Sequence, residues 1–279
     1  MASWRNATTR AEPAGLLRPA VARERSGLRR EYPMHPALEP FVERYWSVSW
    51  DQGAGAAFRS EVLTHPCANL AVESGDRPRH GYALPAALVH GVVTRRFVVD
   101  LYGTGRVTAA KFRPGGWTAF CGRRAAPDTV RPGPFPALVR DVLAVDDDAE
   151  RVAVLDAVLA AHVPEPDPDY VFLSGVVDLI ASTRALTRVE SVAEAAGTSV
   201  RTLQRLFRHW VGVGPKWVLT RHRLQDAAAA IDAGDVDDLA DLAADLGWFD
   251  QAHFSREFRA VVGVTPSSYL SAARAAARA

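Results

Sequence analysis

Two groups of side chains in the last third of the chain carry hydrogen-bonding chemistry at regular spacing. The first is Ser199, Arg201, Thr202, Gln204, Arg205 and Arg208; the second is Gln251, His253 and Arg256. A guanidinium offers parallel N–H donors that fit the O6 and N7 acceptors of guanine, and a glutamine amide matches the edge of adenine. The same donors, with the hydroxyls of Ser199 and Thr202, suit phosphate oxygens. These groups act together only if a rigid element turns them all to one side. Leu203, Leu206 and Phe207, and likewise Phe254 and Phe258, recur at three- and four-residue spacing, which predicts two helices with buried stripes and polar outer faces.

The elements that must position those faces occur twice. Val192-Ala193-Glu194-Ala195-Ala196-Gly197 is matched by Leu242-Ala243-Ala244-Asp245-Leu246-Gly247. Leu203-Gln204-Arg205-Leu206-Phe207-Arg208 is then matched by Phe254-Ser255-Arg256-Glu257-Phe258-Arg259, and Val211-Gly212-Val213-Gly214-Pro215 by Val262-Gly263-Val264-Thr265-Pro266. Each unit reads as a short helix, a glycine turn and a second helix. Ser199 and Asp250 are placed to cap the second helices, and Gly197 and Gly247 to take the left-handed backbone that ends the first. From Pro215 a connecting helix runs to near Ala233, roughly 18 residues or on the order of 27 Å, enough to hold two such units about one DNA turn apart.

These residues resemble the AraC/XylS family of regulators over about Tyr170 to Ala273. The most specific stretch is Leu246-Gly247-Trp248-Phe249-Asp250-Gln251-Ala252-His253-Phe254-Ser255-Arg256-Glu257-Phe258, followed by Val262-Gly263-Val264-Thr265-Pro266-Ser267-Ser268-Tyr269. The resemblance implies two helix-turn-helix units joined by a long helix, with Arg201, Gln204 and Arg205 on the first reading helix and Gln251, His253 and Arg256 on the second. Promoter DNA is the partner it implies.

Upstream the composition changes. Pro164-Glu165-Pro166-Asp167-Pro168-Asp169 forbids a continuing helix and reads as a linker over 164–169 between a β-rich region, 31–163, and the helical region, 170–273. The expected fold class is therefore α+β. Tyr45 to Trp50 and Arg96 to Leu101 read as strands, and Gly103-Thr104-Gly105 suggests a hairpin into Val107 to Phe112. Asp147 to about His162 reads as an amphipathic helix. Phe112 to Trp117 reads as a turn leaving a strand, with no following helix signal and no phosphate-loop ending. Residues 1–30 read as a mobile tail, with a targeting peptide or a DNA-touching arm as alternatives, and 274–279 as a second tail.

This β-rich region is similar to a little-understood domain attached to some of these regulators, through Pro40 to Trp46, His90 to Arg95 and Lys111 to Gly116. That similarity implies a sensor for a small-molecule effector or a homodimerisation surface. An enzyme domain fused to a DNA-binding module, or a domain serving only protein interactions such as dimerisation or contact with RNA polymerase, remain the alternatives.

Other chemistry is poorly supported by the sequence. His65, Cys67, His80 and His90 match no ligand spacing, so neither a metal nor another cofactor is expected and structural histidines are. His253 has no partner at metal spacing, and Trp210, Trp217 and Trp248 read as packing residues. No nucleophile elbow, zinc-protease or dinucleotide motif occurs, so no enzyme is expected. The 279 residues contain two cysteines and no apolar run long enough to span a membrane, which suits a reduced cytoplasmic setting. With a formal net charge of +1, DNA binding would depend on local segregation of charge. Asp232, Asp235, Asp237, Asp238, Asp241 and Asp245 would have to stay away from phosphate, with Asp238 free to cap a helix.

Overall fold

The computed structural model describes Leu17 and residues 27–29, 32–53, 57–183 and 185–276. Among these residues the strands are β1 (Gly27–Arg29), β2 (Val42–Asp51), β3 (Ala57–Val62), β4 (Asn69–Gly75), β5 (Ala86–His90), β6 (Phe97–Tyr102), β7 (Thr104–Phe112) and β8 (Val130–Pro132). Six pair in the order β1-β2-β7-β4-β5-β8, and β3 with β6 makes a two-stranded second sheet. The period-two alternation of a strand sorts the side chains. In β4, Leu70 and Val72 enter the large core, whereas Ala71 and Glu73 face a cavity bordered by both sheets.

The hairpin expected at Gly103 does not form. β6 pairs with β3, while β7 runs between β2 and β4, so the chain changes sheets at this point. Gly103, at φ +50°, makes the corner, and the Asp76 carboxylate accepts the Thr104 N–H at 2.8 Å to fix it. A glycine announces the reversal, but the two strands flanking β7 decide which sheet receives it.

Helix α1 (Gly116–Cys121) follows β7 directly, contrary to the reading of Phe112 to Trp117 as a turn with no helix after it. It starts at a glycine because a Cβ on Gly116 would lie 2.3 Å from the Phe41 carbonyl oxygen. Helices α2 (Leu138–Leu143) and α3 (Asp148–Ala160) complete this region, and Asp147 caps α3 by accepting from the Ala149 and Glu150 N–H groups.

The remaining helices are α4 (Pro168–Ser182), α5 (Val189–Ala195), α6 (Val200–Leu206), α7 (Pro215–Ala233), α8 (Leu239–Asp245), α9 (Gln251–Val262) and α10 (Pro266–Ala276). A π-helical turn, Phe207–Val211, prolongs α6. Helix α4 opens two residues before the expected Tyr170, because a proline is tolerated in the first turn and Asp167 caps it. Two of the expected tail assignments need correction. Gly27–Arg29 pairs with β2, and buried Leu17 donates its N–H to the Glu61 carbonyl at 3.0 Å. Likewise Arg274 lies in α10 and donates to the Val236 carbonyl at 3.1 Å. The rest of 1–30 and residues 277–279 fall outside the described residues.

The β-rich region and the first helical unit share one core. Phe41 stacks on Tyr170 at 5.8 Å, and the Tyr170 hydroxyl donates to the Pro40 carbonyl at 2.6 Å. Thr118 donates to the Trp210 carbonyl at 2.7 Å, and Arg124 to that of Arg208 at 2.7 Å. The second unit has its own core around Leu224, Ile231, Phe254, Phe258 and Tyr269, reached from the β-rich side by Leu63. Among the described residues no helix is long and apolar enough to cross a membrane.

Candidate nucleic-acid interface and the cavity between the sheets

Each unit is built as its sequence requires. Gly197 and Gly247 adopt φ +62° and +76° after α5 and α8, and a Cβ at Gly247 would meet the Thr187 side chain at 2.4 Å. The Ser199 hydroxyl accepts the Thr202 N–H at 3.1 Å, and the Asp250 carboxylate accepts the His253 N–H at 2.6 Å. A side-chain acceptor at this position satisfies an otherwise orphaned backbone donor, so Asp250→Ala is expected to lower stability by about 1 kcal/mol and Asp250→Ser to restore most of it. Urea denaturation of the three proteins checks this.

Leu203, Leu206, Phe207, Phe254 and Phe258 are buried. On the opposite faces Ser199, Arg201, Gln204, Arg205, Arg208, Gln251 and Arg256 are exposed, with Thr202 and His253 half-buried. The structure thus brings the first group together on α6 and its π-helical extension, and the second on α9. The long connector α7 joins the units, its Arg223 guanidinium lying 3.9 Å over Trp248 and donating to the Leu246 carbonyl at 2.7 Å. Trp248 donates in turn to Glu257 at 2.7 Å, and is a packing residue.

Three features of this surface were not legible in the sequence. Asp169, assigned to a linker, pairs with the Arg205 guanidinium at 3.2 Å. Both side chains are more than half exposed, so the pair is worth at most about 1 kcal/mol and can be exchanged for a phosphate or a base. Glu257 lies 3.4 Å from the His253 imidazole one turn away. Phe249, in a turn one residue longer than its counterpart in the first unit, is 94% exposed immediately before the Asp250 cap. Among the acids, Asp238 caps α8 through the Ala240 and Asp241 N–H groups and Asp232 accepts the Tyr269 hydroxyl at 2.9 Å, while Asp235, Asp237, Asp241 and Asp245 are exposed.

In the β-rich region a cavity of about 210 Å³ lies between the sheets, walled by Trp46, Val48 and Trp50 of β2 and by Phe97, Val99 and Leu101 of β6. Ion-paired groups enter it at two places. At one, Lys111 pairs with Glu43 at 2.7 Å. Burial pushes the Glu43 carboxyl up, but Lys111 and Arg44 outweigh it and hold the group below its ordinary value. Burial drives the neighbouring Cys67 thiol up to about 12, and that of Cys121 to about 12 as well, so neither is a thiolate at neutral pH.

At the other place Glu73 meets His90 at 2.7 Å, His80 at 3.7 Å and Arg79 at 3.5 Å. Burial raises Glu73, and the His90 hydrogen bond with the surrounding positive charge more than reverses it. Burial also lowers His80, against the opposing pull of Glu73. The structure therefore divides the histidines grouped in the sequence. His80 and His90 converge on a glutamate that sequence spacing did not single out, whereas His65 sits edge-on to His222 of α7 at 6.2 Å.

Two tandem helix-turn-helix units behind a β-rich domain define the class of this molecule. Residues 192–272 match the family model described as a helix-turn-helix domain, and residues 30–129 match Domain of unknown function (DUF6597). The carboxy-terminal match is of the AraC type. An AraC-like transcription regulator of Streptomyces lividans is 34% identical over 135 residues, 43% of this chain and 43% of its own length. An HTH-type transcriptional regulator of Haemophilus influenzae is 33% identical over 81 residues, 29% of this chain and 27% of its own. The chain thus spans less than half the length of these curated relatives. Among solved structures, ToxT from Vibrio cholerae aligns over 88% of this chain and 97% of its own, at 11% identity and a TM-score of 0.43.

Proposed function

We propose that the chain is a sequence-specific, DNA-binding transcription regulator of the cytoplasm, and not an enzyme, whose two reading helices engage neighbouring major-groove segments of a promoter. The observation that carries this reading is the duplication itself. The same capped turn presents Arg and Gln side chains outward from α6 and again from α9, and a 19-residue helix joins the two units. Ser199, Arg201, Thr202, Gln204, Arg205 and Arg208 form the contact set of the first unit, and Gln251, His253 and Arg256 that of the second.

The cavity between the sheets is the site for a small-molecule effector, mostly apolar with a polar end, and the connector is the element that senses it. Gly91, Val93 and Phe97 line the cavity, and the carbonyls of Val93, Thr94 and Arg95 in the same segment hold Arg221 of α7. An effector that moves this segment changes the seating of the helix joining the two units. Such coupling requires different effector affinity in the two arrangements.

The test is selection of bound sequences from a random duplex pool, repeated across salt concentrations. Two short enriched boxes about one helical turn apart support the proposal, and salt-sensitive binding without enrichment removes it. On a selected site, Arg205→Ala and Arg256→Ala should each weaken binding by about 1–3 kcal/mol with the melting curve unchanged. Equal losses on unrelated DNA would make them phosphate contacts instead.

A further inference from the structure

We propose that Glu73, His80 and His90 form a site for one divalent first-row transition-metal ion in the wall of the cavity. The donors come from the end of β4, the turn that follows and the end of β5, and their ligand atoms all lie within 4.8 Å of one another. Both imidazoles aim Nε2 at one oxygen, Glu73 Oε1, at 2.7 Å from His90 and 3.7 Å from His80. Donors around a tetrahedral ion at ordinary zinc distances stand about 3.4 Å apart, between those two values, so small side-chain movements suffice. Two imidazoles and a carboxylate suit zinc, iron, cobalt or nickel, whereas calcium and magnesium prefer oxygen-rich shells.

Three further observations favour a built site over a chance polar cluster. His80 adopts φ +54°, a left-handed conformation that disfavours side-chain-bearing residues, and the Arg79–Tyr82 bridge holds it there. Phe97 packs against both imidazoles, with ring centres 5.8 and 6.2 Å away, and limits water around the donors. Arg79 approaches the other carboxylate oxygen, Oε2, at 3.5 Å. That contact leaves Oε1 toward the imidazoles and acts as the outer-shell partner that orients a ligating carboxylate. A fourth position would remain for water or for a donor atom of a molecule in the cavity. The site stands whether or not the DNA-binding reading holds.

The full-length protein, stripped with chelator and dialysed, is titrated with Zn²⁺ and with Co²⁺. One equivalent binding in calorimetry, a higher melting temperature and a cobalt spectrum without thiolate charge transfer are expected. His80→Ala should keep its circular dichroism and lose the one-equivalent step, and Glu73→Gln should bind at least about tenfold more weakly. If His80→Ala does not fold, His90→Gln gives the same readout. No binding, undiminished binding in these variants, or a thiolate band pointing to Cys67 would each overturn the assignment.

Discussion

Arg221→Ala should lower global stability by about 3 kcal/mol, far more than removal of an ordinary surface arginine. The residue is 1% exposed and lies in the middle of α7. Its Nη2 donates to the carbonyls of Thr94 at 2.7 Å, Val93 at 3.0 Å and Arg95 at 3.3 Å, and its guanidinium rests 4.6 Å from the Trp217 ring centre. Burial lowers its pKa to about 10, against the pull of Asp128, which still leaves it charged at neutral pH. A charged donor contributes about 1.5–3 kcal/mol per hydrogen bond, and three bonds sharing one nitrogen do not add fully. Truncation also takes the Arg221 donor from the half-buried Thr94 carbonyl and opens a void beside Trp217. Arg221→Lys should recover only part of the loss, because an ammonium lacks the planar fork. Urea denaturation of the three proteins decides the matter, and a cost for Arg221→Ala below about 1 kcal/mol would mean that the latch does not hold.

Under the proposed function, the position of that latch would join the cavity and the two outward-facing helices in one mechanism. Thr118, Arg124 and Tyr170 bind the first unit to the β-rich region and so tie the π-helical extension of α6 to it. The second unit meets the same region through the connector: Arg221, then Gln225, which donates to the Leu63 carbonyl at 3.0 Å. A change in the segment 91–97 would therefore fall on the second unit relative to the first. Spacing between two reading helices is a quantity that promoter binding can sense.

What the sequence made legible was local. The caps at Ser199 and Asp250, the left-handed glycines and the buried faces of α6 and α9 all follow from neighbours within a turn or two, and each stands where the sequence puts it. The failures were matters of distant pairing. Gly103 marks a reversal in either topology, and only the flanking of β7 by β2 and β4 separates a hairpin from a crossing between sheets. Arg221, His222 and Gln225 are polar residues on a helix, which alone would indicate solvent, yet all three are buried by contacts more than a hundred residues away. Glu73 went unmarked because its histidine partners are seven and seventeen residues distant, in no recognised metal-ligand spacing.

His222 should make the fold acid-sensitive in a pH range where carboxylates contribute little. Burial depresses its pKa to about 4 from an ordinary 6.5; the Lys111 and Arg221 charges add to the depression and Glu43 opposes it. Because the folded value lies below the unfolded one, the unfolded chain binds the extra proton. Stability is then fully present above pH 6.5 and is lost as pH falls toward 4, by about 3 kcal/mol in total. Glu43 and Glu73, held below 4.5, give up their contribution only under pH 4.5, so the interval between 4.5 and 6.5 belongs to the histidines. His80 is depressed in the same direction and adds to the slope. His222→Gln should flatten most of the decline in stability between pH 7 and 4.5, with His80→Ala removing part of the remainder. Parallel curves for wild type and His222→Gln would show that this imidazole takes its proton without cost. Its buried position beside His65, a residue of the cavity wall, would then be no barrier to charge.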